Sequence, residues 1–507
     1  MQGDEITISA MYNTFANSSV FNSDFAYHHL PPFYPPLFFW IFSLIGKIMN
    51  WNGILMAKFA AFCFFLLFPV GLYYFIKYLT KDQLAENNIP GKIFILLSPL
   101  LIITILDKDL LIGKPYEVIT AALTIFWYIS LHLQITSGKW SKKMPLIYGI
   151  IAGLIFMTYY LWLIFAVISF IIIGLVEKRG LVKKYFLYLF QTMIVAFIVS
   201  TPFLLPLFIS YLKTGMESWQ TSFFTPSGLD LWLPMFKLSS INNVLLLFGF
   251  AILIYYRNNK YIRQLIYLFL TAFIWWGLGI ASLLIFNIPV QEFRGFYILA
   301  PSILVISAAY GIERIWCYFN INQNKNLYYV ITIIGVVYFS TQSIFGFFID
   351  DPLVKNRRVE SKNTQIEIIN LVKFLQATPS ANTKLTLQTT PQIMAFIPIN
   401  NLIYFNQHNN HPSAIFSKRY EYIQSLANSR SSEEFYEEIK NCPYGKVEQL
   451  IFYSDSENYY LYFHLDKIIQ GIEEKTVKIN RKLLASEYFE KIYDNNNYVV
   501  INIRYDN

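Results

Sequence analysis

Acidic, histidine and aromatic side chains are concentrated in the first 36 residues of the sequence. Asp4 and Glu5 stand together, and the run from Asp24 to Pro36 reads DFAYHHLPPFYPP. A carboxylate held beside a hydroxyl group can accept its proton while the oxygen attacks an electrophilic carbon, which is general-base catalysis. Asp4 and Glu5 are therefore the candidate catalytic residues. Ordinary solvated loop acids are the alternative, because only a minority of carboxylates have a catalytic role.

The same run supplies four candidates for binding an acceptor, namely Asp24, His28, His29 and Tyr34. The two histidines could instead be metal ligands. Adjacent side chains on one segment point to different sides, however, and a metal site needs several converging ligands. We therefore predict no metal site and no cofactor; a divalent cation could still assist, but nothing in the spacing indicates one.

A second set of charged residues lies in a later polar stretch and comprises Lys108, Asp109, Lys114 and Glu117. A cation beside an anionic group stabilises the charge of a departing phosphate, so Lys108 and Lys114 are candidate ligands of a donor phosphate. Asp109 and Glu117 are candidate sugar ligands. Lysines that bind ordinary lipid phosphates at a membrane surface are the alternative.

Two further residues complete the candidate set. Arg294 is the better phosphate ligand because its guanidinium offers a bidentate fork, although it could merely pair with the nearby Glu292. Trp219 lies in a long polar stretch and could stack on a sugar ring. An aromatic belt at a membrane surface is the alternative for this tryptophan.

These residues are carried by a chain with the composition of a membrane protein. Of its 507 residues, 55% are hydrophobic and only 14% are charged. Apolar runs of roughly 20 residues, long enough to cross a bilayer as helices, recur from Ile54 to Phe348. The net charge of +8 could suggest a nucleic-acid partner. The lysines and arginines fall in short clusters between apolar runs, where membrane orientation explains them better, so we predict no nucleic-acid partner.

The apolar runs predict about ten membrane spans. The run from Pro145 to Val176 is read as two spans bent near Thr158 and Tyr159. The others are predicted at Ile54–Ile76, Ile93–Leu106, Tyr116–Leu133 and Leu327–Phe348 and from starts near Phe186, Ile241, Leu265 and Phe296. If the basic clusters face the cytoplasm, the first segment and everything after Ile349 lie outside the plasma membrane. The alternation then requires one more crossing before Met1, so a first span is expected to be missing.

The chain divides by composition into three predicted parts. Residues 1–52 form an external loop with interfacial helices, 53–348 a transmembrane core, and 349–507 an extracytoplasmic α/β domain. Strands are predicted in the last part at Lys384–Gln388, Asn401–Phe405, Gln449–Tyr453 and Tyr498–Arg504, and helices near Ser417–Ala427 and Ser431–Lys440. Ser431 or Ser432, followed by Glu433 and Glu434, is a typical start of a helix.

Several strings, in the same order along the chain, resemble the arabinofuranosyltransferase family that primes the galactan of the arabinogalactan cell wall. They are Gly3-Asp4, the Asp24–Pro36 run continued by Leu37-Phe38-Phe39-Trp40, Lys114-Pro115-Tyr116-Glu117, Asn406-Gln407-His408, and His411-Pro412 with Phe416. The resemblance implies a polytopic α-helical membrane protein with a GT-C-like core and a small soluble C-terminal domain. Glu5 departs from the amide associated with its position, and the chain is rich in Lys, Asn and Ile rather than Ala and Arg.

This resemblance implies a GT-C glycosyltransferase with Asp4 as the general base. The expected donor is a polyprenyl phosphate sugar carrying arabinofuranose, and the expected acceptor is a galactan-like cell-wall polysaccharide. The alternative is a transporter or flippase of lipid-linked glycans. Such a protein would bury ionisable residues in the middle of its spans and show paired, interrupted spans, and neither pattern is evident in the sequence.

Overall fold

The structure is a computed structural model of the whole chain. It describes all residues except 1–3, 18–21, 81–90, 107, 138–140, 177–178, 218–232, 237, 287, 289, 320, 322–324, 346–354, 357–358, 360–365, 379–382, 468–470 and 506–507. The chain forms two compact units. A helical unit comprises Ala60–Thr201 and Gly228–Asn363, and a mixed unit comprises Met1–Phe59, Pro202–Ser227 and Thr364–Asn507. Two long helices each contribute to both units.

The helical unit follows the predicted apolar runs. Its helices are α3 (Gly53–Thr80), α4 (Lys92–Ile105), α5 (Lys108–Gly113), α6 (Pro115–Thr136), α7 (Met144–Thr158), α8 (Leu161–Val176), α9 (Arg179–Thr214), α10 (Ile241–Tyr255), α11 (Lys260–Phe286), α12 (Ala300–Tyr318) and α13 (Lys325–Phe339). A π-helical turn, Gly295–Leu299, leads into α12. The predicted bend near Thr158 is confirmed, because α7 ends there and α8 begins three residues later.

Two helices form the centre of this unit. In the described chain five helices are long and apolar enough to cross a membrane: Gly53–Leu79, Pro115–Thr136, Val182–Thr214, Lys260–Phe286 and Gly295–Tyr318. The most apolar stretches of Pro115–Thr136 and Gly295–Tyr318 are 83% and 89% buried, whereas the other three are about one third buried. Six shorter apolar helices accompany them. The chain is therefore a helical membrane protein, and the number of spans stays a prediction.

Close helix packing depends on two glycines of α7. A Cβ atom added to Gly149 would lie 2.5 Å from the Cβ of Val195, and one added to Gly153 would lie 2.6 Å from the Cβ of Val199. Small residues spaced four apart let two helix backbones approach closely where lipid supplies no hydrophobic drive. These glycines therefore seat α7 against α9.

The mixed unit begins with two helices. These are α1 (Asp4–Asn17), whose residues from Ile6 to Ala16 are buried, and α2 (Leu37–Met49), the predicted interfacial helix. The hydroxyl of Ser43 donates to the carbonyl of Tyr12 at 2.9 Å and joins the two helices. Buried polar residues on α1 make tertiary hydrogen bonds to the C-terminal part of the same unit, which explains why a polar helix can be buried.

The C-terminal part of the mixed unit carries a seven-stranded sheet. Its strands are β1 (Leu385–Gln388), β2 (Asn400–Asn401), β3 (Val447–Ser454), β4 (Asn458–Lys467), β5 (Gly471–Asn480), β6 (Phe489–Asp494) and β7 (Tyr498–Ile503). The order is β2-β1-β3-β4-β5, with β7 between β3 and β6; β1 pairs in parallel with β2 and β3, and the other pairs are antiparallel. Helices Phe416–Ala427 and Ser432–Lys440 cover one face, and Ile366–Ala377 contacts β7.

Most of the predicted elements of this domain are found, and three strands are added. Three predicted strands correspond to β1, β3 and β7, whereas the predicted strand Asn401–Phe405 overlaps the two-residue β2 only at Asn401. Ser431 caps its helix by accepting from the backbone N–H of Glu434 at 3.2 Å, as predicted. The pattern did not predict β4, β5 or β6. The C-terminal part is thus an α/β fold with more antiparallel pairing than the sequence indicates.

Candidate active site

The helical unit contains a buried ion pair between two residues that the sequence analysis selected separately. Glu117 lies in the first turn of α6, and Arg294 immediately precedes the π-helical turn that leads into α12. The Arg294 Nη1 atom lies 3.0 Å from the Glu117 Oε2 atom, and the two side chains are only 8% and 2% exposed. The structure therefore brings the predicted phosphate ligand and a predicted sugar ligand into direct contact.

Neighbouring groups fix Arg294 in this position. Its Nε atom donates to the side-chain oxygen of Gln291 at 2.6 Å, and its backbone N–H donates to the Gln291 carbonyl at 3.1 Å. Gln291 has a φ of 55°, in the left-handed region that non-glycine residues rarely adopt. The indole N–H of Trp275 donates to the same Gln291 carbonyl at 3.2 Å. A guanidinium held at two of its nitrogens is preorganised for an anion.

Glu117 is fixed by the start of its helix. Its backbone N–H donates to the carbonyl of Lys114 at 3.0 Å, and Pro115 occupies the first helical turn, where its missing N–H costs nothing. The indole N–H of Trp162 donates to the Glu117 carbonyl at 2.9 Å. A carboxylate in the first turn also interacts favourably with the helix dipole. Glu117 is thus a counter-ion that holds Arg294.

Aromatic rings accompany the guanidinium. Its carbon atom lies 5.8 Å from the ring centre of Phe293 and 6.0 Å from that of Tyr297. Both distances are within the range of cation–π attraction. These rings add apolar surroundings in which an electrostatic contact is stronger than in water.

Glu292 does not pair with Arg294, although the sequence analysis considered that pairing. Glu292 is fully buried, and neither of its carboxylate oxygens has a hydrogen-bond partner among the described residues. Burial raises the pKa of this carboxyl group. The predicted alternative of an Arg294–Glu292 ion pair is therefore wrong, because Arg294 pairs with Glu117, which lies 177 positions away in the chain.

Of the other predicted site residues of this unit, the structure describes the side chain of Lys114 only. Lys114 is half-buried at the start of α6, three residues before Glu117. The backbone of Lys108 and Asp109 belongs to α5, but their side chains lie outside the described part of the structure. Trp219 also lies outside it.

In the mixed unit, Asp4 and Glu5 form the first turn of α1. Asp4 is exposed and Glu5 is half-buried, while the residues that follow are buried. Thr7, one turn further, exchanges a hydrogen bond of 3.1 Å with the hydroxyl of Tyr404. Burial raises the pKa of Tyr404, and the negative charge of Asp4 adds to that shift. The exposed position leaves Asp4 accessible from solvent.

Asp24 holds the loop in which it lies. Its Oδ1 atom accepts hydrogen bonds from the backbone N–H groups of Ala26 at 2.9 Å and Tyr27 at 3.0 Å, and its own N–H donates to the Leu30 carbonyl at 2.7 Å. The side chain is 1% exposed. Burial raises the pKa of Asp24 to about 7, although the hydrogen bonds from the backbone oppose the shift. These contacts give the carboxylate a structural role.

The two histidines differ in exposure. His28 is half-buried, and its backbone N–H donates to the side chain of Asn400 at 3.1 Å. Burial lowers the pKa of His28 to about 4, and the neighbouring His29 adds to the shift. His29 is exposed, and partial burial with the charge of Arg419 lowers its pKa. Among the described residues no group of three or more His, Cys, Asp or Glu side chains could hold a metal ion.

Tyr34 lies in the same loop and is half-buried. Its ring centre is 4.6 Å from that of Phe33, and the Phe33 ring in turn packs on His411 at 5.4 Å. Tyr34 therefore belongs to an aromatic layer at the junction of the loop and the C-terminal part of the unit.

The loop and the C-terminal part are joined by residues that the sequence analysis did not assign to a site. The hydroxyl of Tyr27 donates to Asn410 and accepts from the backbone N–H of Tyr404 at 2.9 Å. His411 is fully buried: its Nδ1 atom accepts from Ser413 N–H at 3.0 Å, so its Nε2 donates to the Pro31 carbonyl at 2.9 Å. The strings Asp24–Pro36 and Asn406–Pro412 thus contact each other, and the buried His411 has a structural role in the fold.

Two charged residues of this junction were also missed. Glu217 accepts hydrogen bonds from Gln407 at 3.1 Å and from the backbone N–H of Ser417 at 3.0 Å. Arg419 is buried between the rings of Tyr27 and Tyr444 at 5.1 and 4.3 Å and donates to backbone carbonyls. An arginine on the apolar face of the helix Phe416–Ala427 was the available signal for Arg419, and no local pattern marked Glu217.

The family model described as "Arabinofuranosyltransferase N terminal" matches residues 9–315. No curated protein matches the chain.

Two solved structures from one archaeon match the chain at low identity. The oligosaccharyltransferase of Archaeoglobus fulgidus tethered with an acceptor peptide is 11% identical, with a TM-score of 0.43 over 97% of this chain and 75% of that chain. The oligosaccharyltransferase AglB from the same organism, in complex with an inhibitory peptide and a dolichol-phosphate, is also 11% identical, with a TM-score of 0.43 over 95% and 72%. Because the family model covers more than half of the sequence, the chain belongs to the arabinofuranosyltransferase family.

Proposed function

We propose that this protein transfers arabinofuranose from a polyprenyl phosphate donor to a galactan-like cell-wall polysaccharide on the external face of the plasma membrane. Membership in the arabinofuranosyltransferase family supports the class of reaction. The observation that carries the assignment of the donor end is Arg294, a buried guanidinium fixed by Glu117 and Gln291. Such a group is suited to an anionic lipid phosphate.

In this reaction an acceptor hydroxyl oxygen attacks the anomeric carbon of the donor sugar. The bond between that carbon and the phosphate oxygen breaks, the hydroxyl proton passes to a carboxylate, and the polyprenyl phosphate leaves as an anion. Arg294 stabilises the negative charge that develops on the leaving phosphate. Lys114 and Lys108 are proposed as secondary donor ligands.

Asp4 is the proposed general base, with Glu5 as its alternative. Asp4 is exposed at the first turn of a buried helix, so its carboxylate is accessible while its backbone is fixed. A positioned carboxylate of this kind typically accelerates proton transfer about 10²- to 10⁴-fold.

The acceptor is proposed to contact the first loop through His29 and Tyr34. His29 is exposed and Tyr34 is half-buried, whereas His28 is less accessible. Asp24 and Glu117 are not included, because their described hydrogen bonds hold the protein itself. Asp109 and Trp219 remain predicted sugar ligands on sequence grounds alone.

The external orientation rests on two arguments. The side chain of Asn13 donates to the carbonyl of Met394 at 3.2 Å, and segments that hydrogen-bond to each other lie on one side of a membrane. This supports the placement of the first segment and the C-terminal domain on the same side. The positions of the lysine and arginine clusters favour the external side.

The transfer assay uses the full chain in lipid nanodiscs, a radiolabelled polyprenyl phosphate pentose and a galactan acceptor. We expect radioactivity in the polysaccharide and release of polyprenyl phosphate. Transfer from a hexose lipid alone would keep the enzyme class and reject arabinofuranose. Movement of the intact lipid-linked sugar across a sealed bilayer without transfer would favour the flippase alternative.

A further inference from the structure

Glu292 is a fully buried acid whose carboxylate oxygens have no hydrogen-bond partner among the described residues. Most buried polar atoms in proteins are hydrogen-bonded, and an unsatisfied one calls for an explanation. Removing a carboxylate from water without a compensating partner is strongly unfavourable. Glu292 therefore lowers the stability of the folded protein, and a ligand that donates hydrogen bonds to its carboxylate would offset this cost.

The backbone around Glu292 is held tightly by its neighbours. A Cβ atom on Gly279 would lie 2.4 Å from the Cβ of Glu292, and only glycine leaves room for the acid. The preceding Gln291 has its left-handed φ of 55°, and Trp275 holds the Gln291 carbonyl. Strain of this kind persists where surrounding structure imposes it and is concentrated at functional sites.

The nearest candidate partner for Glu292 in the sequence is engaged elsewhere. Arg294, two residues further, pairs with Glu117 and Gln291 and makes no ion pair with Glu292. A metal ion would need several ligands, and the described residues contain no group of three His, Cys, Asp or Glu side chains that could hold one. A neutral ligand with adjacent hydroxyl groups supplies the two donors that a carboxylate requires.

We propose that Glu292 binds hydroxyl groups of the donor sugar while Arg294 holds the donor phosphate. This inference rests on the proposed function, since it takes Arg294 as the phosphate ligand. The two residues are two positions apart in the same loop, and in a glycosyl phosphate the sugar hydroxyls likewise lie near the phosphate group. Glu292 is then a specificity residue that distinguishes sugar-loaded lipid from the bare polyprenyl phosphate product.

The test compares the affinity of the full-length protein in nanodiscs for polyprenyl phosphate pentose and for polyprenyl phosphate. We expect the wild type to prefer the sugar-loaded lipid by about 10-fold or more, as hydrogen bonds to a charged group allow. Glu292→Gln should abolish most of this preference and leave affinity for the bare lipid nearly unchanged. The same substitution should raise the Tm, because it removes an unpaired buried charge.

Glu313→Gln is the matched control. Glu313 is also buried, but its carboxylate accepts from the backbone N–H groups of Gly91 and Phe94. This variant should lower the Tm and retain the preference. If Glu292→Gln does not fold, Glu292→Asp is tested instead. Its side chain is one methylene shorter, so its carboxylate should no longer reach the sugar and the preference for sugar-loaded lipid should be lost.

Unchanged preference in the folded Glu292 variant contradicts the inference, whether or not the Tm rises. Loss of galactan binding with an intact donor preference also contradicts it, because the acid would then serve the acceptor. Failure of the wild type to bind either lipid rejects the proposed function itself and is distinguishable from both results.

Discussion

Arg294 donates from its Nη1 atom to the Oε2 atom of Glu117 across 3.0 Å, and this bond joins the loop before one central helix to the first turn of the other. Both residues are buried, so the pair has little solvent screening. Breaking such a pair by removing one partner typically costs about 3–5 kcal/mol, because the remaining charge is left uncompensated.

Glu117→Gln should therefore lower the free energy of unfolding and the Tm of the protein in detergent. Adding Arg294→Gln should recover part of the loss, since the stranded cation is then gone. A double-mutant cycle measured by thermal unfolding gives the coupling energy. The control is Glu437→Gln, which breaks an exposed pair with Lys440 and should change the Tm little. Additive effects of the two buried substitutions would mean that the pair does not couple.

The pKa of Asp24 predicts a pH dependence of stability. Burial raises the pKa of this carboxyl to about 7 in the folded protein, above its usual value of 3.8. The folded state then binds more protons than the unfolded state between about pH 4 and 7, so stability falls as the pH rises through that range. Asp24→Asn keeps an acceptor oxygen and should remove this loss.

The measurement is the difference in unfolding free energy between Asp24→Asn and the wild type from pH 4 to 8. We expect the difference to grow in favour of the variant with rising pH. Asp455→Asn is a control of opposite sign, because a hydrogen bond from the Tyr460 hydroxyl is the main cause that lowers the pKa of Asp455. Its contribution is present above the unfolded pKa and is lost as the pH falls. If the difference in unfolding free energy between Asp24→Asn and the wild type does not change with pH, the Asp24 carboxyl group does not cause the predicted pH dependence.

Buried His411 contributes in the opposite direction. Burial lowers its pKa to about 3, so the unfolded state binds the proton between about pH 3 and 6.5, and stability is lost as the pH falls through this range. His411→Ala should remove this slope and destabilise the protein, because Pro31 and Ser413 lose their partners. Thermal unfolding between pH 4 and 8 checks both effects. His408→Ala, at a site that is not fully buried, is the comparison variant and should destabilise the protein less.

The orientation of the membrane protein predicts labelling of introduced cysteines. In a background that lacks Cys63, Cys317 and Cys442, Ser456→Cys should react with an impermeant maleimide added to intact cells. Lys142→Cys should react only after the membrane is opened, because its basic cluster is predicted to face the cytoplasm. Both positions are exposed in the structure. Reaction of Lys142→Cys alone in intact cells contradicts the external placement of the C-terminal domain.

Asp4→Asn tests the general base. The amide keeps the shape of the side chain and removes its basicity, so single-turnover transfer should fall about 10²- to 10⁴-fold. Because Asp4 is exposed, the Tm should change little. Glu5→Gln should have the smaller effect. Wild-type turnover in Asp4→Asn, under conditions where chemistry limits the rate, would transfer the assignment to Glu5 or another acid.

Sequence pattern predicts the helices well because the bilayer imposes long apolar runs. The break between α7 and α8 is also predictable from the length of its run. In contrast, β4 has tyrosines on both faces: Tyr459 is buried, whereas Tyr462 is exposed, so its alternation is hard to recognise. The charged strand β5, which reads GIEEKTVKIN, shows apolar alternation only in its second half, where Val477 and Ile479 are buried.

In the candidate site, the sequence likewise indicates single residues but not the contacts between them. Residue chemistry selects Arg294 and Glu117 individually, Arg294 because a guanidinium offers a bidentate fork to a phosphate and Glu117 because an acid can bind sugar hydroxyls. Their pairing depends on helix packing between positions 177 residues apart, and the nearer acid, Glu292, was the partner suggested by local sequence. Asp24 likewise has the residue type of a catalytic group, but its role follows from the backbone N–H groups that surround it in the folded loop.

The most direct test of the central claim compares Arg294→Lys with Arg257→Lys, a change at an exposed arginine of the same unit. Lysine keeps the positive charge and loses the bidentate fork. Single-turnover transfer of radiolabelled pentose from polyprenyl phosphate to galactan is the measurement. We predict at least about a tenfold loss for Arg294→Lys, with weaker binding of polyprenyl phosphate, and no change for Arg257→Lys. Equal transfer rates and equal lipid affinities in the two variants would contradict the role of Arg294 as the ligand of the donor phosphate.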